Sequence, residues 1–165
     1  MLNKNSLPRL IVLHLIAILF VIFNVSDVKI AGLTSVIPLF DLMMIFYFAV
    51  FLNVFSIWFV FLLGVWNDAL CGNPLGVTAL CYILLIKLFS VLNGRIMIRE
   101  NFDQMWKQFI AFCTLFLLMK WAMLSFLNAA AYSLISPLVQ LALSSVLYVV
   151  MHKFFDYLSQ KLLDK

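Results

Sequence analysis

Residues 64–76 read GVWNDALCGNPLG and join two of the most apolar stretches in the chain. Gly72 is the residue type that ends a helix in the left-handed conformation. Asn73 is then expected to cap the next helix, with Pro74 in its first position, where a missing N–H costs nothing. Gly64 and Gly76 let neighbouring helices approach closely, as small residues do in membranes. The stretch therefore predicts a tight helical hairpin. Asp68 admits two readings. It is a structural carboxylate, drawn from its own helix end to the free N–H groups of the next, or it is a contact for a partner or ligand, as ionisable residues at membrane depth often are.

Working outward, the 165 residues are 66% hydrophobic and only 11% charged. A soluble domain carries about 25% charge, so this chain has too little polar surface to face water. Lipid is its solvent. The expected fold class is an all-α polytopic membrane protein with one domain over 1–165 and no separate soluble part. Lys4 and Arg9 precede the first apolar run, but no small-x-small cleavage site follows Phe23, so the run reads as an uncleaved span.

The number of spans turns on residues 33–68, whose only charge before Asp68 is Asp41. One helix over that length would run about 50 Å, whereas the hydrocarbon core is about 30 Å thick. Two short spans with a turn near Asn53 fit instead. Six transmembrane helices result, at about 10–25, 37–52, 54–70, 74–92, 105–126 and 134–155. Lys4, Arg9, Arg95, Arg99, Lys107, Lys153, Lys161 and Lys165 then share one face, and Lys29 lies opposite. The positive-inside rule puts both termini in the cytoplasm.

Enzyme chemistry finds no support. His14 and His152 read as packing residues without a carboxylate or cysteine at ligand spacing, and there is neither a GxGxxG nor a P-loop. Cys71, Cys81 and Cys113 are odd in number and lack metal-type spacing. No catalytic residue, cofactor or metal is expected, and the basic clusters read as topology signals with no nucleic-acid role. The end KFFDYLSQKLLDK sets Phe154, Phe155, Leu158, Leu162 and Leu163 at helical spacing, as an amphipathic helix end. Lys120 lies about 20 Å above Lys107 along a helix, in the same leaflet as Asp41 and Asp68. An intramembrane ion pair of Lys120 with Asp41 or Asp68 is expected, with snorkelling as the alternative.

The run VFLLGVWNDALCGNPLGVTAL resembles the signature of the MreD family, the integral-membrane rod shape-determining proteins. Gly64, Asp68, Gly72, Leu75 and Gly76 match that pattern position by position, and Trp106 with Gln108 resembles the family's start of span five. Two features depart from it. The polar break after span two is here only Asn53, and a proline usual in the last span is replaced near Ser144-Ser145. The resemblance implies a fold like the six-helix substrate-binding subunit of energy-coupling-factor transporters. It also implies a non-catalytic inner-membrane subunit of the peptidoglycan elongation complex. Its partners would be MreC and, through it, MreB and a glycosyltransferase–transpeptidase pair, all held in the lipid bilayer. The alternative is the substrate-binding subunit of a small-molecule, vitamin-type transporter.

Overall fold

The computed structural model describes residues 7–24, 37–96, 102–129 and 133–163. Lys4, Lys29, Arg99, Glu100, Asp164, Lys165 and the side chains of Arg95 and Leu163 lie outside that description. Among the described residues all regular structure is helical. The elements are α1 (Leu7–Phe23), α2 (Phe40–Ile45) with its π-helical continuation (Phe46–Phe51), α3 (Ile57–Cys71), α4 (Val77–Ile96), α5 (Phe102–Leu127) and α6 (Ile135–Leu163). α5 and α6 are long and apolar enough to cross a membrane, while the shorter helices are apolar too.

The solvent each helix needs is visible in its two faces. In α1, Leu13, Ala17 and Val21 are buried at four-residue spacing, yet Ile11, Leu15 and Leu19 on the other side are exposed and equally apolar. A helix without a polar face suits a lipid surround. His14 is satisfied within α1, its Nδ1 lying 2.6 Å from the Leu10 carbonyl oxygen and its ring against Phe55 and Phe59. It is a packing histidine, as its isolation in the sequence suggests.

α2 and the π segment form the centre. Every residue from Asp41 to Val50 is buried. Protein rather than lipid surrounds it, and it packs against α1, α4 and α6. Phe46 meets Phe109, Phe112 and Tyr148. The centre is short: twelve residues span about 18 Å as α-helix, too little to cross an apolar core of about 30 Å. Its approach is not helical. The Leu39 amide donates to Ser144 Oγ at 3.0 Å, and Gln140 Nε2 donates to the Ile37 carbonyl at 2.8 Å. Non-helical backbone in an apolar setting needs such partners, because no water is there to replace them. Ser144 stands nine residues into α6, about 13 Å from its start, so α2 begins well inside the bundle.

The break expected near Asn53 is present. Asn53 has φ 53, a left-handed conformation that asparagine tolerates. The π turn ends through Leu52 N–H to Tyr47 O at 3.0 Å, and Ser56 caps α3 by accepting from the Phe59 amide at 3.2 Å. The other boundaries move by a few residues. α4 begins at Val77, and α6 continues to Leu163, so the amphipathic end is one helix with the apolar run.

Candidate functional site

The α3–α4 hairpin gathers the motif residues. At Gly64 the two helices touch backbone to backbone: a Cβ there would lie 2.4 Å from Ala79 Cα and 2.7 Å from Ala79 N. Only glycine fits. Eight residues on, Gly72 ends α3 at φ 68, and the Asn73 amide closes back on the Asp68 carbonyl at 3.0 Å. This is the left-handed cap the sequence predicts.

The start of α4 differs from expectation. Asn73 and Pro74 stay in the turn, and the helical ladder begins with Leu80 N–H to Gly76 O at 2.8 Å. Gly76, at φ 97, holds the N-cap position and has no side chain with which to cap. Asp68 supplies the cap from the neighbouring helix. Its Oδ2 accepts from the Gly76 amide at 3.0 Å and the Thr78 amide at 2.9 Å. Here the carboxylate meets the positive end of the α4 dipole and satisfies two amides that lipid could not. Asp68 is fully buried, and its Oδ1 and Thr78 Oγ1 have no hydrogen-bond partner among the described residues.

The preceding residue ties the hairpin to the centre of the bundle. Asn67 Nδ2 donates to Asp41 Oδ2 at 2.9 Å, and the Tyr82 hydroxyl donates to the same oxygen. Asp41 Oδ1 accepts from the Leu42 amide at 2.8 Å. Three donors converge on a carboxylate that is 2% exposed, the condition under which a buried acid is tolerated. Tyr82 stacks on Phe116 of α5, with ring centroids 5.2 Å apart.

Lys120 does not join either carboxylate. Its Nζ folds back over the Phe116 ring, 5.7 Å from the centroid, and acts on Asp41 only through space. The expected ion pair of Lys120 with Asp41 or Asp68 is therefore not formed in this structure. At Asp41 the physical reason is that Asn67, Tyr82 and the Leu42 amide already donate to both carboxylate oxygens. A ring face offers the ammonium a compensating contact.

Sequence reading missed two things here. Tyr82 is one, because a lone hydroxyl inside an apolar helix looks like packing until Asp41 is seen opposite it. The second lies at the other end of the bundle. His152 does have a carboxylate within reach: Asp156 follows it by four residues, with His152 Nε2 3.4 Å from Asp156 Oδ2. Tyr47, from the π segment, donates its hydroxyl to Asp156 Oδ1. The i, i+4 spacing was the available signal.

Neither cluster pairs a nucleophile with a base, and among the described residues no group of three or more His, Cys, Asp or Glu could hold a metal. The accessible part of the hairpin is apolar. Leu75 is 70% exposed at the tip. Beside it a groove of about 500 Å³ runs between α3, α4 and α5, lined by Phe61, Leu80, Leu84, Met123 and Leu127 among others.

In this structure the Gly-x-x-x-Asp stretch of residues 60–80 is a buried helix end that caps the next helix across a glycine turn. The family model of the rod shape-determining protein MreD matches residues 4–162. The chain belongs to the MreD family. As an MreD-family protein it is a rod shape-determining membrane protein, and the all-helical bundle with apolar exposed faces accords with that. No curated protein and no solved structure matches the chain significantly.

Proposed function

We propose that this MreD-family chain is a non-catalytic, multi-pass subunit of the peptidoglycan elongation complex in the inner membrane. It would bind MreC and, through MreC, serve MreB and a glycosyltransferase–transpeptidase pair. One observation carries the reading: Gly64, Asp68, Gly72 and Gly76 are consumed in building the hairpin, and what the hairpin presents is Leu75 beside an apolar groove. Such a surface suits a membrane-spanning helix of a partner, recognised by packing. Gly64, Asp68, Gly72 and Gly76 hold the turn, while Asn73, Pro74 and Leu75 form its outer edge.

The membrane frame follows from α6. Its exposed apolar stripe passes Ile135, Leu138, Val146 and Val150, and the first charge is Lys153. That distance is about 27 Å, close to the thickness of an apolar core. Lys153 and Lys161 then mark the cytoplasmic side by the positive-inside rule, with both termini cytoplasmic and the motif turn in the outer leaflet.

A transporter-type substrate subunit would need an accessible polar cavity. Asp41, Asn67 and Tyr82 instead bond to one another and are closed over. Co-purification from native membranes tests the choice. MreC recovered with the chain, and rounded cells on depletion, support the proposal. An ATPase module recovered instead, with normal rods that need a vitamin, would replace it.

A further inference from the structure

α6 is longer than the apolar core needs. Lys153 falls at the end of the apolar stripe, and ten residues of helix continue beyond it to Leu163. On that continuation the charges are sorted by face. The only acid in α6, Asp156, accepts from the Tyr47 hydroxyl and faces His152, so its charge is turned towards the π segment. Lys153, Tyr157, Gln160 and Lys161 are all exposed. At 100° per residue Lys153, Tyr157 and Lys161 lie within one narrow sector, directly in line with Val146 and Val150 above them.

The side chain of Lys161 does not extend away along the helix. Its Nζ lies 5.7 Å from the Tyr157 ring centroid, one turn back towards the membrane. The face thus holds two ammonium groups on either side of a phenol, with no acid among them, at the level where the apolar stripe ends. Tyr157 presents a hydroxyl donor at that level, and its ring is 59% exposed. Donors and cations sorted in this way suit a phosphate, and the apolar stripe continuous with them suits acyl chains.

We propose that Lys153, Tyr157 and Lys161 form a binding site for the phosphate of an anionic phospholipid in the leaflet at the C-terminal end of α6. The acyl chains of that lipid lie along Val150 and Val146. Tyr47 and His152 hold the carboxylate of Asp156, the one acid of α6, on the side of the π segment, and so the clasp at the inner end of the bundle serves the site.

The test uses the full chain in nanodiscs of phosphatidylcholine containing a minor fraction of spin-labelled phosphatidylglycerol. The immobilised fraction of the label is compared with that of spin-labelled phosphatidylcholine. Wild type should select phosphatidylglycerol about tenfold or more. K153Q/K161Q should lose about tenfold of that selection, at about threefold per lysine. Tyr157→Phe should lose about threefold. Lys107→Gln, an exposed lysine of α5, should retain the selection. All four positions are exposed, so the fold is kept. Equal selection by K153Q/K161Q and wild type would overturn the site. So would an equal loss in Lys107→Gln, which would mark diffuse charge. Displacement of the labelled lipid by millimolar inorganic phosphate would make the ligand a free anion and would overturn the lipid assignment.

Discussion

Asp41 and Asp68 are two buried carboxylates in one bundle, and they are held by different means. Asp68 accepts from two backbone amides, those of Gly76 and Thr78, eight and ten residues along the chain. Asp41 accepts from the side chains of Asn67 and Tyr82, 26 and 41 residues away. The first arrangement depends on backbone geometry and on glycine where a left-handed turn is needed. The second depends on the identity of side chains on two other helices. Asp68 therefore fixes one hairpin, whereas Asp41 fixes the position of the central segment against that hairpin.

The largest expected effect comes from the contact that permits the hairpin at all. Gly64→Val would drive atoms into the Ala79 backbone, which cannot move as a flexible side chain could. We expect more than about 4 kcal/mol of destabilisation, read as loss of the monodisperse species in detergent chromatography. A folded, functional Gly64→Val protein would show that α3 and α4 separate freely.

Next comes Asp68→Ala, which leaves the Gly76 and Thr78 amides unpaired in an apolar site at about 1–3 kcal/mol each. Thermal unfolding in detergent should fall markedly, and complementation of cell shape should weaken more than with Asp41→Ala. An equal, negligible effect of both would separate the motif from folding and function alike. Tyr82→Phe removes one of three donors from Asp41 and should cost about 1 kcal/mol. If it costs as much as Asp68→Ala, the Asp41 cluster is the dominant anchor instead.

Lys120→Leu should be the mildest, within about 0.5 kcal/mol, because the ammonium contacts only the Phe116 ring. A charge reversal at Lys120 rescued by Lys at Asp41 or Asp68 would restore the ion pair that the sequence suggested.

The same contrast explains what the sequence could disclose. Gly72 and Asn53 announce left-handed backbone at a single position, so the turn and the break between α2 and α3 were legible. The alternative of a structural Asp68 was legible because its partners are neighbours in the chain. The start of α4 was misplaced because its cap comes from another helix, and a reading along the chain assigns caps locally. The non-helical approach at 37–39 was hidden for the same reason. Its partners, Gln140 and Ser144, lie more than a hundred residues away. Those partners also make sense of the departure at Ser144-Ser145. A hydroxyl stands there to satisfy the Leu39 amide, and the Ser145 carbonyl accepts from Trp106 Nε1 at 2.9 Å.

In the proposed function the motif builds the hairpin and the apolar edge beside it binds the partner. Capture of MreC by the solubilised chain, measured for Asp68→Asn and Leu75→Glu side by side, tests it most directly. Asn keeps an oxygen acceptor for the two α4 amides, so Asp68→Asn should retain most of the capture. Leu75→Glu puts a charge at the tip of the hairpin without touching its fold, and should reduce capture at least tenfold with thermal unfolding unchanged. Loss of capture with Asp68→Asn and retention with Leu75→Glu would contradict the account and make the Asp68 charge itself the contact.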